Sequence, residues 1–326
     1  MKKKVLICGA TGFIGRNLTQ QLSKRSDFEI HAVRYQRPEY YCPNVIWHQA
    51  DLRDPVSVDR LMKHMDILIQ AAATTSGSKD IIIRPFIHVT DNAVINSYLF
   101  RAAFEQKLKH VVFFSCTVMY PSRTTALKES DFDANQPLHP RYFGVGHTKL
   151  YIEKMCEFYA GISHTKFTAI RHSNIYGPHD KFDLDRSHVF GATIAKVMTA
   201  KNKIVVWGTG EEERDLLYVD DLVHFVELAL KKQPEPYRLY HCGYGQAISI
   251  KDLVKKIVAH SGKKLLIEHD FSQPTIKTSL FLDCSLARKE LDWQIQTDLD
   301  TGIQQTIAWW KESIENRPVQ MTANDV

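Results

Sequence analysis

Gly9, Gly12 and Gly15 in CGATGFIG follow an apolar run of strand length, Val5 to Cys8, and lead into an amphipathic stretch from Asn17 to Lys24. Strand, glycine turn and helix in that order commit the N-terminus to a βα unit. The glycines serve a tight turn, a close backbone approach to a pyrophosphate and close packing of helix on strand, with the helix N-terminus facing negative charge. Gly9, Thr11, Gly12, Phe13, Ile14 and Gly15 are therefore the candidate dinucleotide contacts.

Further short apolar runs, Glu29 to Val33, Asp66 to Gln70, His110 to Ser115 and Lys166 to Arg171, alternate with amphipathic runs. These are Val56 to His64, Asn92 to Gln106 and Lys149 to Tyr159. The pattern is that of an α/β chain whose doubly wound parallel sheet is covered by helices. After Arg171 turn formers accumulate (NIYGPHDKFD), and helical patterns near 188–200, 220–232, 250–260 and 300–315 are separated by irregular stretches. The expected organisation is a Rossmann domain over 1–171, a smaller C-terminal α/β substrate domain over 172–315, and a polar, frayed tail over 316–326.

The 326 residues carry 42 Lys and Arg against 37 Asp and Glu, a net +5 spread along the chain. A nucleic-acid binder gathers its cations on one face, so no nucleic-acid partner is expected. Cys8, Cys42, Cys116, Cys156, Cys242 and Cys284 form no CxxC pair, which disfavours a structural zinc site or a disulfide framework and suits a reducing compartment. No run approaches the roughly 20 apolar residues of a membrane span. A soluble cytoplasmic protein without a metal is the expectation.

At the end of the second strand an acidic residue would hold the ribose hydroxyls of NAD. Arg34 stands there instead, with Arg37 close behind, and a cation favours the 2′-phosphate of NADP over NAD. Asp51 in QADLRD is placed either to reach the adenine or to act in a turn or helix cap.

With these residues the chain resembles the extended short-chain dehydrogenase/reductase family (NAD-dependent epimerase/dehydratase), and within it enzymes of the GDP-L-fucose synthase type. The resemblance runs from about Lys4 to Trp310. It rests on CGATGFIG, on AAA at 71–73, MYP at 119–121, HTKLYIEKMCEFY, RHSNIYGPHDKFDLDRSHV and VVWGTGEEERDLLYVDDL. It implies cofactor contacts at Leu52, Ala71, Ala72, Ala73 and Lys149, and a nucleotide-diphosphate sugar, GDP-type, as substrate. By the same resemblance Asn174 and Arg214 would hold the hexose and diphosphate, Trp207 would lie near base and ribose, and His188 with Val189 would line the sugar site. His188 matches an acid of the epimerising step. Relatives pair through two long helices, here about 92–107 and 147–160, which implies a homodimer. Ile95, Leu99, Ile152 and Cys156 have spacing that suits either such a face or a monomer core.

The catalytic pattern departs from the family. Relatives carry a Tyr four residues before the Lys, on one helix face, so that the ammonium lowers the phenol pKa. Here Lys149 is present but Val145 stands at that position, and the usual Ser or Thr four residues before Tyr120 is Cys116, followed by Thr117. Tyr142 could reach the site if Gly144 and Gly146 distort the helix start; His147 or a water could act instead. The segment 121–140 has the position of a substrate lid. The expected activity is an NADP-dependent reductase or epimerase acting at C4, with C3 and C5 as further positions, of a GDP-type 4-keto sugar, in which Tyr142 or Thr117 supplies the proton path and His188 assists epimerisation; Cys116 and His188 as an opposed acid and base are an alternative. The competing reading is a protein that binds NADP and a nucleotide sugar without catalysis.

Overall fold

The computed structural model describes residues 2–74, 84–184, 187–272 and 279–315; the tail expected at 316–326 lies outside them. In the first half, β1 (Lys3–Cys8), α1 (Phe13–Leu22), β2 (Phe28–Arg34), β3 (Val45–Gln49), α2 (Pro55–Met62), β4 (Ile67–Gln70), α3 (Thr90–Glu105), β5 (His110–Phe114), α4 (Phe143–Ile162) and β6 (Lys166–His172) follow one another. Then come β7 (Asn174–Tyr176), α5 (Val189–Thr199), β8 (Lys203–Trp207), β9 (Glu213–Tyr218), α6 (Val219–Lys232), β10 (Tyr237–Cys242), β11 (Ala247–Ser249), α7 (Ile250–Ser261), β12 (Leu266–Asp270), α8 (Ser285–Leu291) and α9 (Leu299–Trp310).

Seven strands form one parallel sheet in the order β10-β6-β5-β4-β1-β2-β3. Its central strands β1, β4 and β5 are mostly apolar because helices cover both faces of the sheet. The period of two sends Val5 and Ile7 to one buried cluster and Leu6 and Cys8 to the other. Local signals set the helix ends: Asp54 caps α2 by accepting the Val56 and Ser57 N–H groups, with Pro55 at the first position. Gly262 ends α7 in the left-handed region. The strand order reverses between β1 and β4, and the C-terminal edge at that reversal is where open α/β sheets bind ligands.

Two departures from the expected elements matter for the site. Tyr237–Cys242, in the region expected to be mainly substrate domain, returns to pair with β6 as the seventh strand, with Tyr240, His241 and Cys242 buried. The long helix begins at Phe143, six residues before Lys149. The remaining strands form a three-stranded sheet β11-β9-β7 and a pair β12-β8. They pack with α5, α7 and α9 around Tyr176, Phe190, Leu253 and Trp310. The two parts are joined at the cofactor loop: buried Asn17 donates to the carbonyls of Phe13 (3.0 Å) and Pro178 (2.9 Å).

Leu99, Ile152 and Cys156 are fully buried in the chain's own core, and Ile95 is packed against it, so these residues do not present a dimer face. Beneath the sheet edge lies a buried ion pair. The Arg171 guanidinium donates to Glu153 through Nε (3.0 Å) and Nη2 (2.6 Å), and the Ser115 hydroxyl donates to the same carboxylate (2.5 Å). Arg171 Nη1 donates to the Tyr120 hydroxyl (2.6 Å), Tyr120 donates to His241 Nε2 (2.7 Å), and His241 Nδ1 donates to the Leu127 carbonyl (2.9 Å). Removing one partner of a buried pair leaves the other charge uncompensated, at a cost of about 3–5 kcal/mol. Denaturant unfolding of Glu153→Met and of Arg171→Met should each show a loss of about that size, with the double variant losing less than the sum of the two.

Candidate active site

The glycine loop has the shape its sequence requires. Gly9 sits at φ +75°, and a Cβ there would lie 2.7 Å from the Ala72 Cα; a Cβ on Gly15 would lie 2.1 Å from the Gly9 carbonyl oxygen. Gly12 is the N-cap of α1, which has no side-chain cap and no acidic residue in its first turn. The helix N–H groups and dipole therefore face outward toward an anion, and the donor set fits a pyrophosphate. Phe13, Ile14 and Ala71 pack on the core behind the loop, and Leu52 is buried. Arg34 ends β2 with its guanidinium 3.6 Å from exposed Glu39, and Arg37 is exposed. Asp51 takes the turn role: it accepts the Arg53 backbone N–H (2.9 Å), while the Arg53 guanidinium holds its pKa down at about 2.

Lys149 lies on α4 with Nζ donating to the Phe114 carbonyl (2.7 Å), at the C-terminal end of β5 beside Cys116. Burial lowers its pKa. Val145 is one helical turn earlier on the same face. Burial pushes the Cys116 thiol up, the opposite of what a thiolate nucleophile needs. Thr117 accepts the Tyr120 N–H through its backbone carbonyl.

The substitutes considered for the missing phenol are placed differently from expectation. The helix is regular from Phe143 onward, so Gly144 and Gly146 do not distort it. They admit close packing instead, since a Cβ on Gly146 would lie 2.2 Å from Leu138 Cδ2 and one on Gly144 2.9 Å from Val89 Cγ2. Tyr142 closes a short 3-10 turn, Pro140–Tyr142, and is the N-cap residue of α4, with its ring centroid 5.6 Å from that of His139. His147 is exposed and meets exposed Phe143 edge-on (ring centroids 4.5 Å), two residues from Lys149 and so on the far side of the helix. The segment 121–140 is held down: Leu127 is fully buried and bridges to Leu282, and the Glu129 carboxylate accepts the His241 N–H (2.7 Å). These bonds tie the segment to β10, which a free lid would not allow.

On the sugar side, Asn174 opens β7 and donates to the Asp215 carbonyl (3.3 Å), next to Arg214 on β9. Burial lowers the Arg214 pKa, and its Nη1 donates to the Glu213 carbonyl (2.7 Å). Trp207 is 52% exposed, so it is not a core residue, and the Lys196 ammonium sits 5.2 Å from its ring centroid. His188 is the N-cap residue of α5, directly before Val189, without capping it.

His172, which the sequence motifs do not single out, belongs with Lys149. It ends β6 at the edge where Cys116 follows β5, and its ring meets Phe114 edge-on (centroids 6.3 Å). Its Nδ1 donates to the Ser173 carbonyl (2.7 Å). Burial, then Lys149 and His188, bring its pKa to about 4, so the imidazole is neutral at pH 7. A histidine at the last position of a sheet strand was the available signal. The charge of Lys149 thus acts on both Cys116 and His172, while Asn174 and Arg214 stand on the neighbouring strands β7 and β9.

Residues 5–243 match the model of the NAD dependent epimerase/dehydratase family. The chain belongs to that family. It is 26% identical over 322 residues to GDP-L-colitose synthase of Yersinia pseudotuberculosis, covering 96% of this chain and 99% of the relative. It is 27% identical over 325 residues to GDP-L-fucose synthase of Escherichia coli K12, covering 96% and 98%. The fold matches that of the UDP-glucose 4-epimerase of Thermotoga maritima at a TM-score of 0.84, with 20% identity, 95% of this chain and 99% of that one. The protein is thus a sugar-nucleotide epimerase or reductase in kind.

Asp180, in the loop of this family member that leads toward His188, is buried. One oxygen accepts the Lys181 N–H (2.7 Å), and the other has no hydrogen-bond partner among the described residues. Burial lifts its pKa to about 7 from 3.8. A carboxyl whose folded pKa is raised favours folding at low pH, and that contribution is lost as pH climbs from about 4 through 7. Asp180→Asn should remove this loss, giving a Tm gain over the parent that is larger at pH 8 than at pH 5 in thermal unfolding scans.

Proposed function

We propose that the protein is an NADP-dependent oxidoreductase or epimerase acting at C4 of a GDP-type 4-keto sugar, with epimerisation at C3 and C5 as a further capacity. The single observation that supports the reading is the uncapped N-terminus of α1 and the half-buried Lys149 at the same C-terminal edge of the parallel sheet. The bound nicotinamide would supply or take a hydride. The glycine loop would hold the pyrophosphate, Arg34 and Arg37 the 2′-phosphate, and Lys149 the nicotinamide ribose. The planar fork of Arg214 suits two diphosphate oxygens, and exposed Trp207 offers a face for the base. The GDP preference is supported by the names of the two relatives given above, whereas the solved structure compared above is of a UDP-sugar enzyme.

Two further parts of the proposal concern the setting. Tyr151, Phe158 and Ile162 are more than half exposed on α4 and offer an apolar face for a homodimer. Among the described residues no helix is long and apolar enough to cross a membrane; a cytoplasmic site is proposed on the free cysteines.

A second reading, binding without catalysis, is favoured by Val145, which cannot carry a proton. Hydride transfer from NADPH across a panel of 4-keto nucleotide sugars separates the two. Turnover supports the enzyme; its absence, followed by activity in Val145→Tyr, supports the binder. For the enzyme, Arg214→Ala should raise KM for the nucleotide sugar about tenfold or more with a smaller change in kcat. Arg34→Ala should weaken NADPH binding about tenfold while leaving NADH within about threefold, read by cofactor fluorescence titration.

A further inference from the structure

We propose that His172, through Nε2, is the group that accepts and returns the substrate hydroxyl proton, the role that Val145 cannot fill; this rests on the oxidoreductase reading above. Lys149 Nζ is fixed on the Phe114 carbonyl, and the His172 ring meets the side chain of the same residue. The ammonium also lies 4.7 Å from the Phe113 ring centroid, so Lys149 and His172 both pack at the C-terminal end of β5, each against one of its last two residues. The Ser173 carbonyl can only accept, so the proton of His172 sits on Nδ1 and the lone pair on Nε2. Nε2 has no hydrogen-bond partner among the described residues, and it is not one of the fully enclosed unpaired atoms. It is an oriented base in the neutral state, held by its own backbone.

The competitors are poorly placed. Tyr142 lies seven residues before Lys149, about 10 Å back along the helix axis, and its ring packs against His139. His147 faces outward on Phe143. The Cys116 thiol is pushed toward its protonated form. In the oxidation direction the C4 hydroxyl O–H bond breaks and its proton goes to His172 Nε2. The C4–H bond breaks with its electron pair moving as hydride to the oxidised nicotinamide, and C4 becomes a carbonyl. Reduction reverses every transfer, with the imidazolium giving its proton to the carbonyl oxygen.

The test uses the full-length chain. In His172→Asn the amide nitrogen can still donate to the Ser173 carbonyl, while Nε2 is lost. The variant should bind NADPH and GDP-sugar within about threefold of the parent, while its single-turnover hydride step slows about a hundredfold or more, with partial rescue by added imidazole. Independently of turnover, the ¹⁵N resonance of His172 Nε2 should report the Nδ1–H tautomer and shift when NADP and a GDP-hexose are added together. Retention of the hydride step within about threefold in His172→Asn, or an Nε2 resonance unmoved by ligands that do shift the Arg214 side chain, overturns this assignment alone. A parent protein in which neither His172 nor Arg214 responds to NADP, GDP-hexose or both overturns the assignment together with the functional reading.

Discussion

The buried pair of Glu153 and Arg171 is the interaction on which the rest of the site depends. It ties α4 to β6, and through Ser115, Tyr120 and His241 it reaches the end of β5 and the edge strand β10. Three of the candidate reactive side chains neighbour a member of this network in sequence. Cys116 follows Ser115, His172 follows Arg171, and Lys149 lies one turn before Glu153. A buried ion pair with every remaining donor satisfied contributes little net stability, but its directional bonds fix the relative positions of the elements that carry it. Small displacements of a proton-transfer group weaken catalysis steeply, so rigidity here has a direct functional meaning.

Much of the fold was legible because the relevant signals are local. The strand-glycine-helix entry, the apolar runs of β1, β4 and β5 and the amphipathic helices late in the chain follow from residue spacing alone. The strand β10 was not legible: its residues YRLYHC contain Arg and two Tyr, and their burial depends on a partner strand far away in sequence. The roles of Gly144 and Gly146 were misread for a related reason. A glycine within a helix reads as local freedom, yet here it answers to Leu138 and Val89, which approach from other segments.

The candidate site divides the same way. The phosphate loop, Lys149, Asn174 and Arg214 stand out as residue types suited to phosphate and ribose, and they lie where such groups are useful. The proton-transfer group is harder to read, because its identity rests on which atoms remain unbonded once the chain has folded. His172 illustrates this: its usefulness derives from the hydrogen bond that fixes one ring nitrogen and leaves the other open. The scaffold of the family is retained while, under the proposal above, the residue that moves the proton differs, which is possible because binding and proton transfer are supplied by separate side chains.

The return of β10 has a consequence for how the chain can be divided. A fragment ending after β6 would expose a raw strand border, with unsatisfied amides along the whole length that Tyr237–Cys242 normally covers, and would strip His241 from the Tyr120 hydroxyl. Such borders recruit neighbouring molecules into intermolecular sheets. The nucleotide-holding half is therefore not an autonomous module: its completion waits for the synthesis of residues about 65 positions further along, and a nascent chain must keep that border shielded until they arrive.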